Sequence, residues 1–290
     1  MTAIRALMRG LVDYAGLFPP ASLDMVSAAR RYRAYLTGED RWALGRFVVP
    51  SGRLAEFSAA FNEVCCGERE PVWKLSVLSS GDAAKDSAAM DGLTRGAVAV
   101  DCVEMKAAYA EQAEALLRDF QGGPPVFVEF DAGRAASMLP VLARFGARAK
   151  IRTGGVTVEA FPSVDVVAEF LAACARAKVA FKATAGLHHA VRGSYRLTYE
   201  AGSTRATMHG FVNVFLAAVL AWRGMEARAL TATLEGKNAS AFVFGEDNVR
   251  WLGFDAGVDE IEAVRREFAI SYGSCSFSEP VEEAKALEWL

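Results

Sequence analysis

The segment Ala147–His189, which reads ARAKIRTGGVTVEAFPSVDVVAEFLAACARAKVAFKATAGLHH, contains two short apolar stretches separated by an amphipathic one. A lysine lies within each apolar stretch, Lys150 in the first and Lys182 in the second. Between them, Ser163–Lys178 has apolar residues at helical spacing and a serine where a helix would be capped. This pattern predicts a strand–helix–strand unit, which is the connection that neighbouring parallel strands require.

The two lysines are expected to share one interior. Side chains alternate between the two faces of a strand, so Lys150 lies on one face with Arg148 and Arg152, and Lys182 lies on one face with Thr184. In a closed barrel the face opposite the helices is the interior. Burial or a nearby cation lowers the pKa of a lysine, and such a lysine attacks carbonyl carbons to form a Schiff base. One lysine alone would be explained more simply by contact with water or a carboxylate, but the pair favours this chemistry.

The remaining chain continues the alternation of strands and helices, and it predicts one TIM-type (β/α)8 barrel, an α/β fold, over residues 1–290 as a single domain. A long, mostly helical excursion over residues 190–267 separates strands seven and eight, with an apolar helix at Gly210–Trp222 and a short extended piece at Ala241–Phe244. The eight predicted strands are Gly10–Phe18, Leu44–Val49, Val72–Leu78, Gly96–Met105, Val126–Asp131, Arg148–Thr153, Phe181–Ala185 and Phe268–Phe277. The predicted helices outside the excursion are Met25–Leu36, Leu54–Val64, Ala83–Leu93, Ala107–Phe120, Ala135–Phe145, Ser163–Lys178 and Val281–Leu290.

Composition limits the function classes. The net charge of −3 gives no basic footprint for nucleic acid, and the 52% share of apolar residues argues against disorder. No apolar run is long enough to span a bilayer, and the N-terminus has no evident signal peptide. The five cysteines, of which Cys65 and Cys66 are adjacent, form no CxxC pair. We therefore predict a cytoplasmic protein that acts on a small molecule without nucleic acid, membrane or cofactor as partner.

In barrels of this type the active site lies at the carboxyl ends of the strands. Strand one ends near Asp13, and the later strands contribute acids, cations, glycines and hydroxyl groups. The candidate acids for proton relay are Glu129, Glu104 and Asp101. The candidate substrate-binding residues are Arg46, Lys74, Arg152, Thr153, Gly154, Thr184, Gly186, His188, Gly273 and Ser274. We expect an anionic substrate, because five cations together outweigh the nearby acids: Arg46, Lys74, Lys150, Arg152 and Lys182.

The central stretch resembles the class I deoxyribose-phosphate aldolases over residues 125–186. The shared motifs are Lys150–Gly154 (KIRTG), Val179–Gly186 (VAFKATAG) and the preceding Val126–Glu129 (VFVE). The resemblance implies a barrel in which Lys150 forms the imine and Lys182 depresses its pKa, with Asp101 or Glu104 as the acid of strand four. Other phrases, such as DYAGLFPPA and SYGSCSFSEP, resemble those of a bacterial family, and that resemblance implies no function.

The sequence thus favours an aldolase-type lyase that uses a lysine Schiff base on a small, anionic carbonyl compound. One alternative is a metal-dependent barrel enzyme that uses His188, His209 and carboxylates, although no HxH or HExxH spacing supports it. A second alternative is a barrel that binds a ligand without catalysis. The apolar helix Gly210–Trp222 offers a face between copies of a homo-oligomer, although a buried core helix is the default expectation.

Overall fold

A computed structural model describes residues 1–65, 71–93 and 96–290. Cys66 lies outside the described residues. The described strands are β1 (Val12–Tyr14), β2 (Leu44–Pro50), β3 (Trp73–Leu78), β4 (Val98–Lys106), β5 (Val126–Glu129), β6 (Arg148–Arg152), β7 (Phe181–Thr184), β8 (Gly193–Arg196), β9 (Arg205–Met208), β10 (Phe242–Phe244), β11 (Asn248–Trp251), β12 (Phe254–Gly257) and β13 (Ala269–Ser274). The described α-helices are α1 (Ala3–Met8), α2 (Met25–Thr37), α3 (Leu54–Cys65), α4 (Ala83–Asp91), α5 (Ala110–Asp119), α6 (Ala135–Phe145), α7 (Val164–Ala177), α8 (Phe211–Trp222), α9 (Ala227–Glu235), α10 (Val258–Glu267) and α11 (Ser278–Ala286). Short 3-10 turns lie at Glu39–Ala43, Ser51–Arg53, Ala132–Arg134, Val158–Ala160 and Ala239–Ala241.

Eight of these strands close into a barrel in the order β1-β2-β3-β4-β5-β6-β7-β13, and β13 returns to β1. All eight neighbouring pairs are parallel. The predicted TIM-type (β/α)8 barrel is confirmed, and each of the eight predicted strands overlaps an observed barrel strand. The first is shorter than predicted, since only three residues of it join the ladder.

The central strand–helix–strand unit forms because its local signals agree with its tertiary role. The hydroxyl of Ser163 accepts a hydrogen bond from the backbone N–H of Val166 and so caps α7. The apolar face of that helix, including Val167, Phe170 and Leu171, is buried against the barrel wall. Gly146 ends the preceding helix α6 with a φ of 64°, a left-handed conformation that glycine adopts without steric cost.

The excursion between β7 and β13 contains three helices, α8 to α10, and also two small antiparallel sheets. The sheet β10-β11-β12 includes the predicted extended piece, whereas the hairpin β8-β9 and the strands β11 and β12 were not predicted from the sequence. Each of these strands has only four residues, so the alternation of apolar and polar residues is too short to recognise. The N-terminal helix α1 was also not predicted.

Helix α8 is buried on every side from Phe211 to Ala221, which explains why its sequence is apolar all round. It packs against the neighbouring helices α7, α9 and α10. It is therefore a core helix and not an exposed face between copies. Among the described residues, none of the helices is both long and apolar enough to cross a membrane.

Candidate active site

Lys150 and Lys182 lie opposite each other on the neighbouring strands β6 and β7. Both side chains enter the barrel interior, which confirms the placement predicted from the period of two. The carboxylate of Glu104, on β4, lies between them. Its Oε2 is 2.7 Å from Lys150 Nζ, and its Oε1 accepts a hydrogen bond of 2.5 Å from Lys182 Nζ. One buried carboxylate thus joins the two ammonium groups.

Lys182 is closed off from solvent. Its Nζ also donates to Oδ2 of Asp13 at 2.6 Å and lies 5.5 Å from the centroid of the Phe127 ring. Burial alone would lower the pKa of Lys182, but the negative charges of Asp13 and Glu104 raise it above its usual value. Lys182 is therefore a fixed cation at neutral pH.

Lys150 contacts a second carboxylate in addition to that of Glu104. Its Nζ lies 2.7 Å from Oε2 of Glu129, which is its register partner on β5. Oε1 of Glu129 accepts a hydrogen bond of 3.2 Å from Arg152 Nε and lies 3.7 Å from Lys106 Nζ. Unlike Lys182, Lys150 lines the cavity described below, so its ammonium group is the one that a ligand can reach.

The carboxylates of this network are held ionised by their cations. Burial by itself would raise the pKa of Glu104, yet the charges of Lys150 and Lys182 bring it well below the usual range. The pKa of Asp13 is lowered in the same way by Lys182 and Arg46, against the effect of burial. The pKa of Glu129 is lowered against burial by Lys150 and Arg152, with a smaller contribution from Lys106. Opposite charges alternate along this network from Arg46 to Arg152.

A cavity of about 1090 Å³ lies above the network at the carboxyl ends of the barrel strands. Its floor contains Lys150, Glu104 and Glu129, and one wall is formed by the segment from Tyr195 to Tyr199 at the end of β8. The volume suits a small organic ligand. The predicted residues that line this cavity are Glu104, Glu129, Lys150, Arg152, Thr184, Gly186, His188 and Gly273.

Three predicted residues lie outside the cavity, toward the amino-terminal end of the barrel. Lys74 lies on the same face of β3 as the buried Ser76 but two residues earlier, nearer the amino-terminal end of the barrel. Its side chain is exposed there, at the end of the barrel opposite the cavity. Asp101 accepts a hydrogen bond of 2.6 Å from Arg46 Nε, and Arg46 is held further by Asp13 and by Ser271. The prediction that Asp101 relays protons to the lysines and that Arg46 and Lys74 bind substrate is corrected, since these groups lie elsewhere or pair with one another.

Thr153, Gly154 and Ser274 hold the cavity in shape rather than line it. The Thr153 hydroxyl donates to the carbonyl of Ala185 at 2.6 Å and so ties the loop after β6 to the loop after β7. A Cβ on Gly154 would lie 2.8 Å from the Cα of Gly186. The two loops therefore approach each other too closely for a side chain at this point, and both residues there are glycine. Ser274 is buried, and its hydroxyl lies 3.5 Å from Nδ1 of His188.

The histidines do not assemble a metal site. His209 is fully buried, with its Nε2 at 2.8 Å from the carbonyl of Pro162, and burial lowers its pKa to about 4. His188 instead pairs with Glu279. No three His, Cys, Asp or Glu side chains among the described residues are grouped so as to hold a metal ion. The metal centre of His188, His209 and carboxylates that was the alternative prediction is not formed among the described residues.

Sequence reasoning missed several residues of the site. It placed Asp13 near the end of the first strand but gave it no role, because a single aspartate in an apolar run carries no motif. Ser76, whose hydroxyl donates to Glu104 Oε1 at 2.5 Å, and Ser271, which donates to Asp13 Oδ2 at 2.7 Å, were likewise unassigned. The inward alternation of their strands is the signal that would have found both serines.

No protein-family model matches the chain, and no curated protein matches it. The resemblance to deoxyribose-phosphate aldolases over residues 125–186 therefore stays a prediction. Any functional inference depends on the geometry of the lysine network and its cavity.

Proposed function

We propose that the protein is an aldolase-type lyase in which Lys150 forms a Schiff base with a small carbonyl compound. The observation that carries this proposal is the unequal placement of two paired lysines. Lys150 lies on the cavity floor, while Lys182 lies below it as a buried cation, and both contact Glu104. A lysine on the cavity floor, a buried lysine and the carboxylate that joins them supply a nucleophile and a fixed positive charge.

The residues present account for each proton that imine chemistry moves. Glu129, 2.7 Å from Lys150 Nζ, accepts a proton from the ammonium group. The free amine adds to the carbonyl carbon, Glu129 gives its proton to the hydroxyl group of the carbinolamine, and loss of water leaves the protonated imine. This cation accepts the electron pair when the bond between the α and β carbons breaks, and the β-hydroxyl proton passes to a carboxylate. Glu104 or Glu129 then returns a proton to the α carbon, and water releases the product from Lys150.

The charges around the cavity favour an anionic substrate. Arg152 is 46% exposed at its side chain, and Lys106, Arg196 and Arg205 also line the cavity. In the described part of the chain the guanidinium group of Arg196 has no hydrogen-bond or ion-pair partner, and the residue lies opposite Arg205 in the hairpin β8-β9. Like charges opposite each other destabilise a hairpin unless an anion lies between them. A carboxylate or phosphate group on the substrate would supply that anion.

Catalysis is tested by exchange of the α-protons of small ketones and keto acids in D2O, followed by NMR. The expected result is exchange that saturates with substrate and is lost in Lys150→Met. Lys74→Met is the matched control, because Lys74 is an exposed lysine at the opposite end of the barrel. If the Lys150→Met variant exchanges the α-protons as fast as the Lys74→Met variant, Lys150 does not form the imine and the lyase proposal is wrong.

A further inference from the structure

A second group of reactive side chains lies in the wall of the same cavity, apart from the lysine network. Sγ of Cys275 is 3.9 Å from Nε2 of His188, and Nδ1 of His188 is 3.0 Å from Oε2 of Glu279. All three residues line the cavity. The order thiol, imidazole, carboxylate, with one imidazole nitrogen facing each neighbour, is the arrangement of a nucleophile with its base and an orienting acid.

Three elements bring this group together. Cys275 directly follows β13, at the carboxyl end of the barrel, and His188 lies in the loop after the neighbouring strand β7. Glu279 is in the first turn of α11, the helix that follows Cys275. The hydroxyl of Tyr199, from the excursion, lies 3.6 Å from the Cys275 sulfur. The separation of 87 residues between His188 and Cys275 explains why no sequence motif revealed the group.

The electrostatics agree with this assignment. Burial alone would lower the pKa of His188, but its hydrogen bonds with Cys275 and Glu279 raise it to about 10. The imidazole therefore holds a proton at neutral pH and stabilises a thiolate beside it. Burial raises the pKa of Cys102 to about 11 and raises that of Cys174 further.

We propose that Cys275 is the nucleophile of a second reactive centre, which accepts acyl groups from small thioesters or activated esters. In the resting pair the thiol proton is already on His188, and the Cys275 sulfur adds to the acyl carbon. The bond from that carbon to the leaving group then breaks, the leaving group takes the proton from His188, and an acyl-Cys275 thioester remains. Water adds to this thioester and gives one proton to His188, the bond from the acyl carbon to sulfur breaks to release a carboxylic acid, and the proton stays on His188 beside the freed Cys275 sulfur.

This centre is independent of the imine chemistry of Lys150, because acyl transfer expels a leaving group and imine formation expels water. The two activities can therefore fail separately. The histidine next in sequence provides a matched control for the base. His189 lines the same cavity and pairs with Glu283 at 3.5 Å, but its ring stacks on Tyr195 and has no contact with a cysteine among the described residues.

The test uses p-nitrophenyl acetate with the full-length protein, with release of nitrophenol followed in a stopped-flow instrument and the acetyl group located by peptide mass spectrometry. We expect a burst of about one equivalent, with the acetyl group on Cys275 and removable by neutral hydroxylamine, which cleaves thioesters but not lysine amides. The burst should be absent in Cys275→Ser. It should be slower by about 100-fold or more in His188→Gln and within twofold of the unaltered protein in His189→Gln.

Acetylation confined to lysines or to other cysteines would overturn the proposal, as would equal burst rates in His188→Gln and His189→Gln. Circular dichroism of each variant checks that it folds. If Cys275→Ser does not fold, the unaltered protein still decides the question through competitive alkylation with iodoacetamide. Cys275 should react at least tenfold faster than Cys102 and Cys174, and equal or slower reaction of Cys275 would contradict the assignment.

Discussion

Lys150 and Lys182 are register partners on adjacent barrel strands, and a single carboxylate, that of Glu104, contacts both ammonium groups. Their environments nevertheless differ in one decisive respect. Lys182 is enclosed by Asp13, Glu104 and the Phe127 ring, whereas Lys150 borders a cavity large enough for a small ligand. The first is suited to a fixed charge, and the second to a nucleophile.

Replacement of Lys182 should be costly for stability. Lys182→Met leaves the carboxylates of Asp13 and Glu104 buried with one cation fewer, and loss of one partner from a buried ion pair costs about 3–5 kcal/mol. Urea denaturation monitored by fluorescence measures this free energy of unfolding. Lys74→Met, at an exposed position, should change it by no more than about 0.5 kcal/mol. Equal losses in the two variants would show that the buried network does not stabilise the fold.

The carboxylates predict the stability of the protein in acid. The pKa values of Asp13, Glu104 and Glu129 are lowered in the folded state, so the unfolded chain binds protons first as the pH falls. The stabilisation is complete above the unfolded values of about 3.9 for Asp and about 4.3 for Glu, and it is lost as the pH falls below them. Urea denaturation between pH 3 and pH 7 should show this loss. Its slope should be shallower in Glu104→Gln, and an unchanged slope would remove Glu104 from the titrating set.

His188 predicts the opposite dependence in alkali. Its pKa is raised to about 10 in the folded state, from an unfolded value of about 6.5. The stabilisation is therefore complete below about pH 6.5 and is lost as the pH rises toward 10. His188→Gln should remove this alkaline decline in the free energy of unfolding, while His189→Gln should retain it. A decline of equal size in both variants would mean that His188 is not held as an imidazolium.

The contact between the loops after β6 and β7 should not tolerate a larger residue. Gly186 has a φ of 78°, and a Cβ there would lie 2.8 Å from the Cα of Gly154. Gly186→Ala should cost about 1–3 kcal/mol through backbone strain and displace the cavity wall beside Lys150. The control Gly202→Ala meets no atom within 4 Å and should be nearly neutral. Thermal unfolding of both variants decides the point, and equal melting temperatures would contradict the close approach.

Much of the barrel is predictable from the sequence because its strands and helices have strong local signals. The segment Ser163–Lys178 predicts α7 from its cap and spacing, and Gly146 predicts the end of α6. The alternation around Lys150 and Lys182 also predicts their shared interior. These features need only the period of a strand or a helix and the residues that end it.

The rest of the site depends on contacts between distant segments. The pairing of Asp13 with Lys182 spans 169 residues, and neither residue marks the other in the sequence. Asp101 and Glu104 are equally good candidates from their strand, but only the barrel geometry shows that Glu104 reaches the lysines while Asp101 pairs with Arg46. The cavity wall at Tyr195–Tyr199 begins within the four-residue strand β8. That strand is too short for its alternation of apolar and polar residues to be recognised in the sequence.

The central claim is that Lys150 is the nucleophile, and reduction with sodium borohydride tests it most directly. The protein is incubated with small aldehydes, ketones and keto acids, reduced, and digested, and the added mass is located by peptide mass spectrometry. The account predicts one stable adduct on Lys150 that is lost in Lys150→Met and reduced in a folded Lys182→Met variant, while Lys74→Met retains it. Adducts on exposed lysines alone, or no adduct with any carbonyl compound, would contradict the account.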